Sequence, residues 1–302
     1  MTIINMVHFK PHTIKLITGF CVLLFCFQLH ASDQGSFEVE IKGKDQGQVL
    51  ILIPGLMSDA SVFNNLAAEL SPHYEVHLVS VKGFASTPGG DNFSLTSLVQ
   101  DLLRYIDNNN LQRPHIVGHS MGGLTGFMLA SNYQDKIGKL VSIDGLPFIG
   151  PIFTRTNSTT VDMMMPQAQN IRAMYANMSK NQLAVQTQQG VSIQATSASD
   201  QGKIVDMAKQ SNPVTVGNAI FDALTTDMRK LLTHSNTHIL MLGASGGVMQ
   251  EAQHEQISAL YWQQFEKVNN AKVVMNTTVR HFMFFDDLDW VSQQITQFLG
   301  EE

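Results

Sequence analysis

The stretch from Ile116 to Gly123, Ile-Val-Gly-His-Ser-Met-Gly-Gly, leaves a folded chain few options. An apolar run enters a glycine, and Ser120 has Gly118 and Gly122 two residues to either side. A Gly-x-Ser-x-Gly pattern between a buried strand and a helix implies a very tight turn. The serine backbone is strained there, and only glycine leaves room where strand and helix nearly touch. Residues 114–118 read as the short buried strand, and Leu124, Phe127, Met128 and Tyr133 mark the apolar side of the following helix. Such a turn holds the Ser120 hydroxyl beyond the end of a sheet. It also puts the Met121 N–H at a helix start, where a backbone donor can stabilise an oxyanion.

Strands and helices alternate on both sides of this junction. Phe37, Val39 and Ile41 alternate with polar residues, the period of a half-exposed edge strand. Val49 to Ile53 is a continuous β-rich apolar run, as expected for a strand covered on both faces. Further strands are expected at 74–81, 140–143, 238–242 and 273–275. Apolar stripes predict helices around 62–70, 95–106, 251–268 and 291–299, the first capped by Asp59 or Ser61. This alternation predicts an α/β fold with a mostly parallel central sheet and helices on both faces. From Phe148 to Thr233 the alternation stops. The segment is rich in Gln, Met, Ser and Thr, and its apolar residues fall at helical spacing: Ala168, Ile171, Met174, Tyr175 and Met178, then Ala219, Ile220, Ala223, Leu224 and Leu231. A helical cap over 148–233, inserted between core segments 32–147 and 234–302, is the expected organisation.

Residues 1–31 read as a secretory signal peptide. Lys10 and Lys15 precede an apolar stretch from Leu16 to Leu29, and Leu29-His30-Ala31 offers a cleavage site before Ser32. Both cysteines, Cys21 and Cys26, fall inside it, so the mature chain would have no disulfide, thiol nucleophile or cysteine metal site. A periplasmic or secreted protein with no stable membrane anchor after cleavage is expected. The net charge of −6, with no basic run outside the N-terminus, gives no surface for nucleic acid.

The Gly-His-Ser-Met-Gly-Gly form of the turn resembles the nucleophile elbow of the α/β-hydrolase superfamily. The resemblance implies that family's fold with a helical cap, a catalytic serine–histidine–acid triad and no metal or organic cofactor. A serine hydroxyl needs a base to take its proton, usually an imidazole oriented by a carboxylate. His281 follows the last expected strand, and Arg280-His281-Phe282 resembles the family's Gly-His-Phe turn. His119, inside the elbow, is expected to point away from the nucleophile and to be structural. The run Pro54-Gly55-Leu56-Met57-Ser58 matches the family's oxyanion turn by position, with Pro54 in place of the usual histidine. It makes Leu56 N–H the expected second oxyanion donor beside Met121 N–H.

The triad acid is the open position. Capped family members usually carry it after the strand at 238–242. This chain reads Gly243-Ala244-Ser245-Gly246-Gly247 there, with no carboxylate before Glu251. Asp144, closing the strand after the elbow, is the expected acid. Asp286, Asp287 and Glu251 are the alternatives, the two aspartates also fitting as caps of the last helix. The implied reaction is hydrolysis of a small carboxylic ester in the manner of a carboxylesterase or lipase. Phe148, Ile149, Phe153 and Met163 to Met165 either line the site for an apolar acyl or alkyl group or pack the cap. A lactonase, thioesterase or peptidase would use the same residues. Without an acid the chain would be a hydrolase-like binding protein.

Overall fold

The computed structural model describes residues 35–301. The expected leader over 1–31, with its two cysteines, lies outside the described residues. Seven strands form one sheet: β1 (Phe37–Lys42), β2 (Val49–Ile53), β3 (Glu75–Val81), β4 (His115–His119), β5 (Leu140–Ile143), β6 (Ile239–Ala244) and β7 (Ala271–Asn276). Their spatial order is β1-β3-β2-β4-β5-β6-β7. Only β1 runs antiparallel, on the β3 edge; every other pairing is parallel. The mostly parallel α/β architecture expected from the alternation is the one observed.

The central strands are apolar throughout because both faces are covered, and their alternation divides the core in two. Ile51, Ile53, Ile116, Leu140 and Ile239 point to one side of the sheet. Leu50, Leu52, Val117, Val141 and Leu240 point to the other. The first side packs against α2 (Leu95–Asn108), α3 (Met121–Asn132) and α10 (Glu251–Phe265) through residues such as Leu98, Phe127 and Tyr261. The second packs against α1 (Asn64–Leu70) and α12 (Leu288–Gly300) through Leu66 and Ile295. Asp59 caps a 3₁₀ turn, Ala60–Phe63, ahead of α1 by accepting from the Ser61 N–H. On the edge strand Phe37 is buried and Val39 partly so, while Ile41, expected on the same face, is exposed at the strand's end, so the predicted period holds only over the first half of β1.

Between β5 and β6 the described chain is wholly helical. It comprises α4 (Gly150–Thr154), α5 (Val161–Ala176), α6 (Lys180–Gly190), a 3₁₀ turn at Val191–Ile193, α7 (Ala198–Gln210), α8 (Pro213–Thr225) and α9 (Arg229–Leu232). The two predicted stripes meet where α5 and α8 pack along one another. Gly217 allows the close approach, since a Cβ there would come within 2.7 Å of the Arg172 carbonyl oxygen. The methionine run does not form a single lining. Met164 is buried with Phe148, Ala168 and Leu224, while Met163 faces outward on the same helix. Consecutive helical residues lie about 100° apart, so Met163 to Met165 cannot share one face. Among the described residues no helix is long and apolar enough to cross a membrane.

Strand order reverses between β2 and β4, the switch point beside which ligand crevices open in α/β sheets. Register aligns the carboxyl ends there: Ile53 pairs with Gly118, His119 with Ile143, and Ile143 with Leu242. The turns that follow these strands are thereby gathered at one edge of the sheet.

Several histidines are held neutral by the fold. Burial pushes His77 down against the opposing pull of Glu75. Burial, reinforced by Lys139 and Arg113, takes His115 to about 4. Burial, then the nearby His281, puts His119 well below its ordinary value. Each histidine takes up a proton near pH ~6.5 once unfolded, so in this window the unfolded chain binds more protons than the folded one. The stability present above that pH is therefore lost as pH falls toward 4. The urea midpoint at pH 5 is expected to lie below that at pH 7.5. His115→Asn, which keeps an acceptor for the Lys139 N–H, should narrow the gap; a midpoint that does not change with pH would refute the neutral burial of these rings.

Candidate active site

Ser120 is the N-cap of α3 with φ 54° and ψ −117°, a left-handed strand-to-helix corner that a residue with a side chain rarely adopts. The crowding around it accounts for the glycines. A Cβ on Gly118 would collide with the Gly122 carbonyl, and one on Gly122 with the Ile53 carbonyl. The corner is held by the Ser120 N–H donating to Ile143 O at 2.9 Å and by Gly123 and Leu124 N–H groups donating to Ser120 O. The hydroxyl is left at the sheet edge, and among the described residues no partner lies within hydrogen-bond distance of it.

The turn after β2 lies against this corner. A Cβ on Gly55 would come within 3.0 Å of Ser120 Cβ. Met57 adopts φ 59°, and the Ser58 N–H closes the turn on Gly55 O at 3.3 Å. The Leu56 and Met121 amides have no acceptor among the described residues. For Met121 this follows from its place at the first position of a helix, where no preceding turn supplies a carbonyl.

Asp144 stands at the end of β5 with φ 49°, and its side chain is 7% exposed. Its Oδ2 lies 2.6 Å from His281 Nδ1. Its Oδ1 accepts from the Ala244 N–H at 2.8 Å and from the Tyr261 hydroxyl at 2.8 Å. With Nδ1–H given to the carboxylate, the neutral imidazole has a bare Nε2. The His281 side chain is 26% exposed, so the imidazole reaches solvent while the Asp144 carboxylate is buried.

His119 is fully buried, but it is not remote from the site. Its ring centroid is 4.6 Å from that of His281, and its Nε2–H donates to the His281 carbonyl at 3.1 Å. Its Nδ1 is buried without a partner among the described residues. The residue preceding Ser120 thus supports the loop that carries His281, a contact between positions 162 apart in the chain. Phe282 and Phe284 pack around the same ring.

The other candidate acids have different duties. Asp287 caps α12 by accepting from the Trp290 N–H, as expected. Asp286 does not cap that helix. Its two oxygens accept from the Arg280 and Thr196 N–H groups, joining the His281 turn to the helical segment between β5 and β6. Glu251 opens α10 as an exposed first-turn residue. Tyr261 and Ala244 belong to the Asp144 environment and were not anticipated; a tyrosine at helical spacing reads only as core until the fold brings it to a carboxylate.

Residues 48–288 match the family model described as the alpha/beta hydrolase fold. A pimeloyl-[acyl-carrier protein] methyl ester esterase from Aeromonas salmonicida is 29% identical over 111 residues, covering 36% of this chain and 42% of the relative. The enzyme of that name from Vibrio cholerae is 32% identical over 102 residues, covering 34% and 38%. The aligned stretch thus spans about two fifths of the length of these curated relatives. Among solved structures, the enol-lactonase from Burkholderia xenovorans LB400 superposes with a TM-score of 0.70 at 18% identity, covering 88% of this chain and 96% of that one, a likeness of fold. The protein belongs to the α/β-hydrolase fold family.

Proposed function

We propose that this protein is a serine hydrolase that cleaves a carboxylic ester through an acyl-enzyme. The observation that carries the reading is the 2.6 Å contact of His281 Nδ1 with Asp144 Oδ2, at the sheet edge that also bears the strained Ser120 corner. His281 Nε2 takes the proton of Ser120 Oγ as that oxygen bonds to the acyl carbon. The Leu56 and Met121 amides receive the carbonyl oxygen as it becomes an anion. The carbon–alkoxy bond then breaks, and the leaving oxygen takes the proton from His281. Water repeats the sequence: it gives a proton to His281, bonds to the acyl carbon and releases the acid, while Ser120 recovers its proton.

The curated relatives are named as methyl ester esterases, which favours an ester over an amide or thioester. The apolar residues beside the oxyanion turn, Leu56, Met57 and Met121, favour a small ester with an apolar acyl or alkyl part. The lysine-flanked apolar segment near the N-terminus supports export to the periplasm or medium.

A fluorophosphonate probe is expected to label the full chain and not Ser120→Ala; absence of labelling in both would remove the acyl-enzyme reading. Asp144→Asn should lower kcat by about 10³-fold or more, because it orients the imidazole wrongly, while Asp286→Asn should stay within about tenfold of the parent because it loses only a structural acceptor. Near-parental turnover of Asp144→Asn, measured on a short-chain ester, would unseat it as the acid. N-terminal sequencing of the protein recovered outside the cytoplasm should begin at Ser32; an intact Met1 would refute cleaved export.

A further inference from the structure

The Asp144 carboxylate has three donors around two oxygens. Oδ2 faces His281, while Oδ1 is held by one backbone amide, Ala244 N–H, and one side chain, the Tyr261 hydroxyl. Tyr261 lies on α10, eleven residues into the helix that follows β6. Its ring is buried in the core beside Phe265. It reaches the end of β5 by passing over Gly243. A Cβ at that position would come within 2.8 Å of Tyr261 Cδ1 and would also strike the Met275 sulfur. Glycine at 243 is thus the condition for the phenol to reach the carboxylate.

We propose that Tyr261 is a positioning residue for the triad acid, holding Asp144 Oδ1 so that Oδ2 stays on His281 Nδ1. The inference rests on the reading of Ser120, His281 and Asp144 as the catalytic triad and adds a fourth residue to it. A carboxylate at a strand end can rotate about χ2, and each rotation that carries Oδ2 off the imidazole disarms the base. Two donors on Oδ1 from different directions remove that freedom: Ala244 comes from the neighbouring strand, Tyr261 from the helix behind. Burial, with the Asp144 charge beside it, pushes the phenol well up, so the hydroxyl stays protonated and able to donate. Tyr261 is 6% exposed and therefore acts through Asp144 and not on substrate.

Other ionisable groups near the pair are engaged. His119 is buried and neutral against the His281 ring. Arg280 donates from its side chain to Ala195 O, and Asp286 is taken up by backbone amides. On α10 itself, His254 bonds Ser245. The Tyr261 hydroxyl is thus the side-chain group whose removal changes the charge distribution on Asp144. Without it, Oδ2 is free to swing away from Nδ1, and the imidazolium form of His281 loses the carboxylate that faces it. The acid limb of the kcat/KM profile should then move to lower pH.

Tyr261→Phe removes one oxygen and keeps the ring. It is expected to lower kcat about tenfold with KM within about twofold, to lower the pH of the acid limb, and to shift the far-downfield proton resonance of the His281–Asp144 hydrogen bond. Parental kcat, or a fall in kcat with both the acid limb and the resonance unmoved, would overturn the proposal. The resonance is read without substrate, so the two readings can fail separately. If the parent is not labelled by a fluorophosphonate and Tyr261→Phe still shifts the resonance, the nucleophile assignment fails and the positioning role stands. If the parent is labelled and neither profile nor resonance responds, the positioning role fails.

Discussion

One carboxylate on β5 joins parts of the chain that are far apart in sequence. Asp144 binds His281 from beyond β7, Ala244 at the end of β6 and Tyr261 on α10, at separations of 137, 100 and 117 residues. An isolated carboxylate at 7% exposure would be strongly disfavoured, and the cost is offset only when its oxygens are hydrogen-bonded and a positive partner is at hand. The aspartate and its surroundings therefore require each other. The donors make a buried charge tolerable, and the carboxylate on Nδ1 fixes which ring nitrogen of His281 carries the proton.

The turn that carries the imidazole is also held through its backbone. The Phe282 N–H donates to Gln194 O at 2.8 Å, and the His281 N–H to Ile193 O at 3.4 Å. Asp286 adds a two-sided clasp between Arg280 and Thr196, and the Arg280 guanidinium reaches Ala195 O. The turn carrying His281 is thus tied to the helical insertion after β5 as firmly as to the sheet. Any displacement of residues 193–196 would be felt at the base. These bonds join the helical insertion to the His281 turn without using the His281 or Asp144 side chain.

The parts of this arrangement readable in the sequence are those imposed by neighbours along the chain. The Ser120 corner announces itself because its glycines are demanded by contacts within a few residues, and the apolar run at 49–53 because a doubly covered strand has no polar positions. Asp144 was legible as the residue closing β5, but which carboxylate lies against His281 depends on distant partners; in the fold it is Asp144, while Asp286, Asp287 and Glu251 have other contacts or are exposed. Tyr261 carries no local signal at all: its spacing on α10 is that of any core residue. His119, expected to be structural, is buried and bonded to the His281 carbonyl. Its place in the elbow does not say that the loop after β7 folds down onto it, because that contact is made across 162 residues. The methionines at 163–165 were ambiguous because composition indicates apolar character without saying which side of a helix each residue occupies.

The glycine-rich loop after β6 leaves no room for a side chain at position 246. Gly246 N–H donates to Val279 O at 2.8 Å, and Ser245 N–H to Asn276 O at 3.1 Å, so this loop lies directly on the backbone leading to His281. A Cβ at Gly246 would come within 2.5 Å of Val279 O and 2.6 Å of Thr278 C. A carboxylate-bearing side chain could enter only by lifting the two segments apart, and that would move the histidine. Adjacent strands of a sheet are separated by only about 4.8 Å, so a side chain from the end of β5 reaches the same imidazole nitrogen. The β6 loop packs closely on the backbone before His281 and contributes the Ala244 N–H to Asp144. Tight loop packing and a carboxylate one strand away are thus compatible, and a carboxylate introduced at 246 would displace the turn that carries His281.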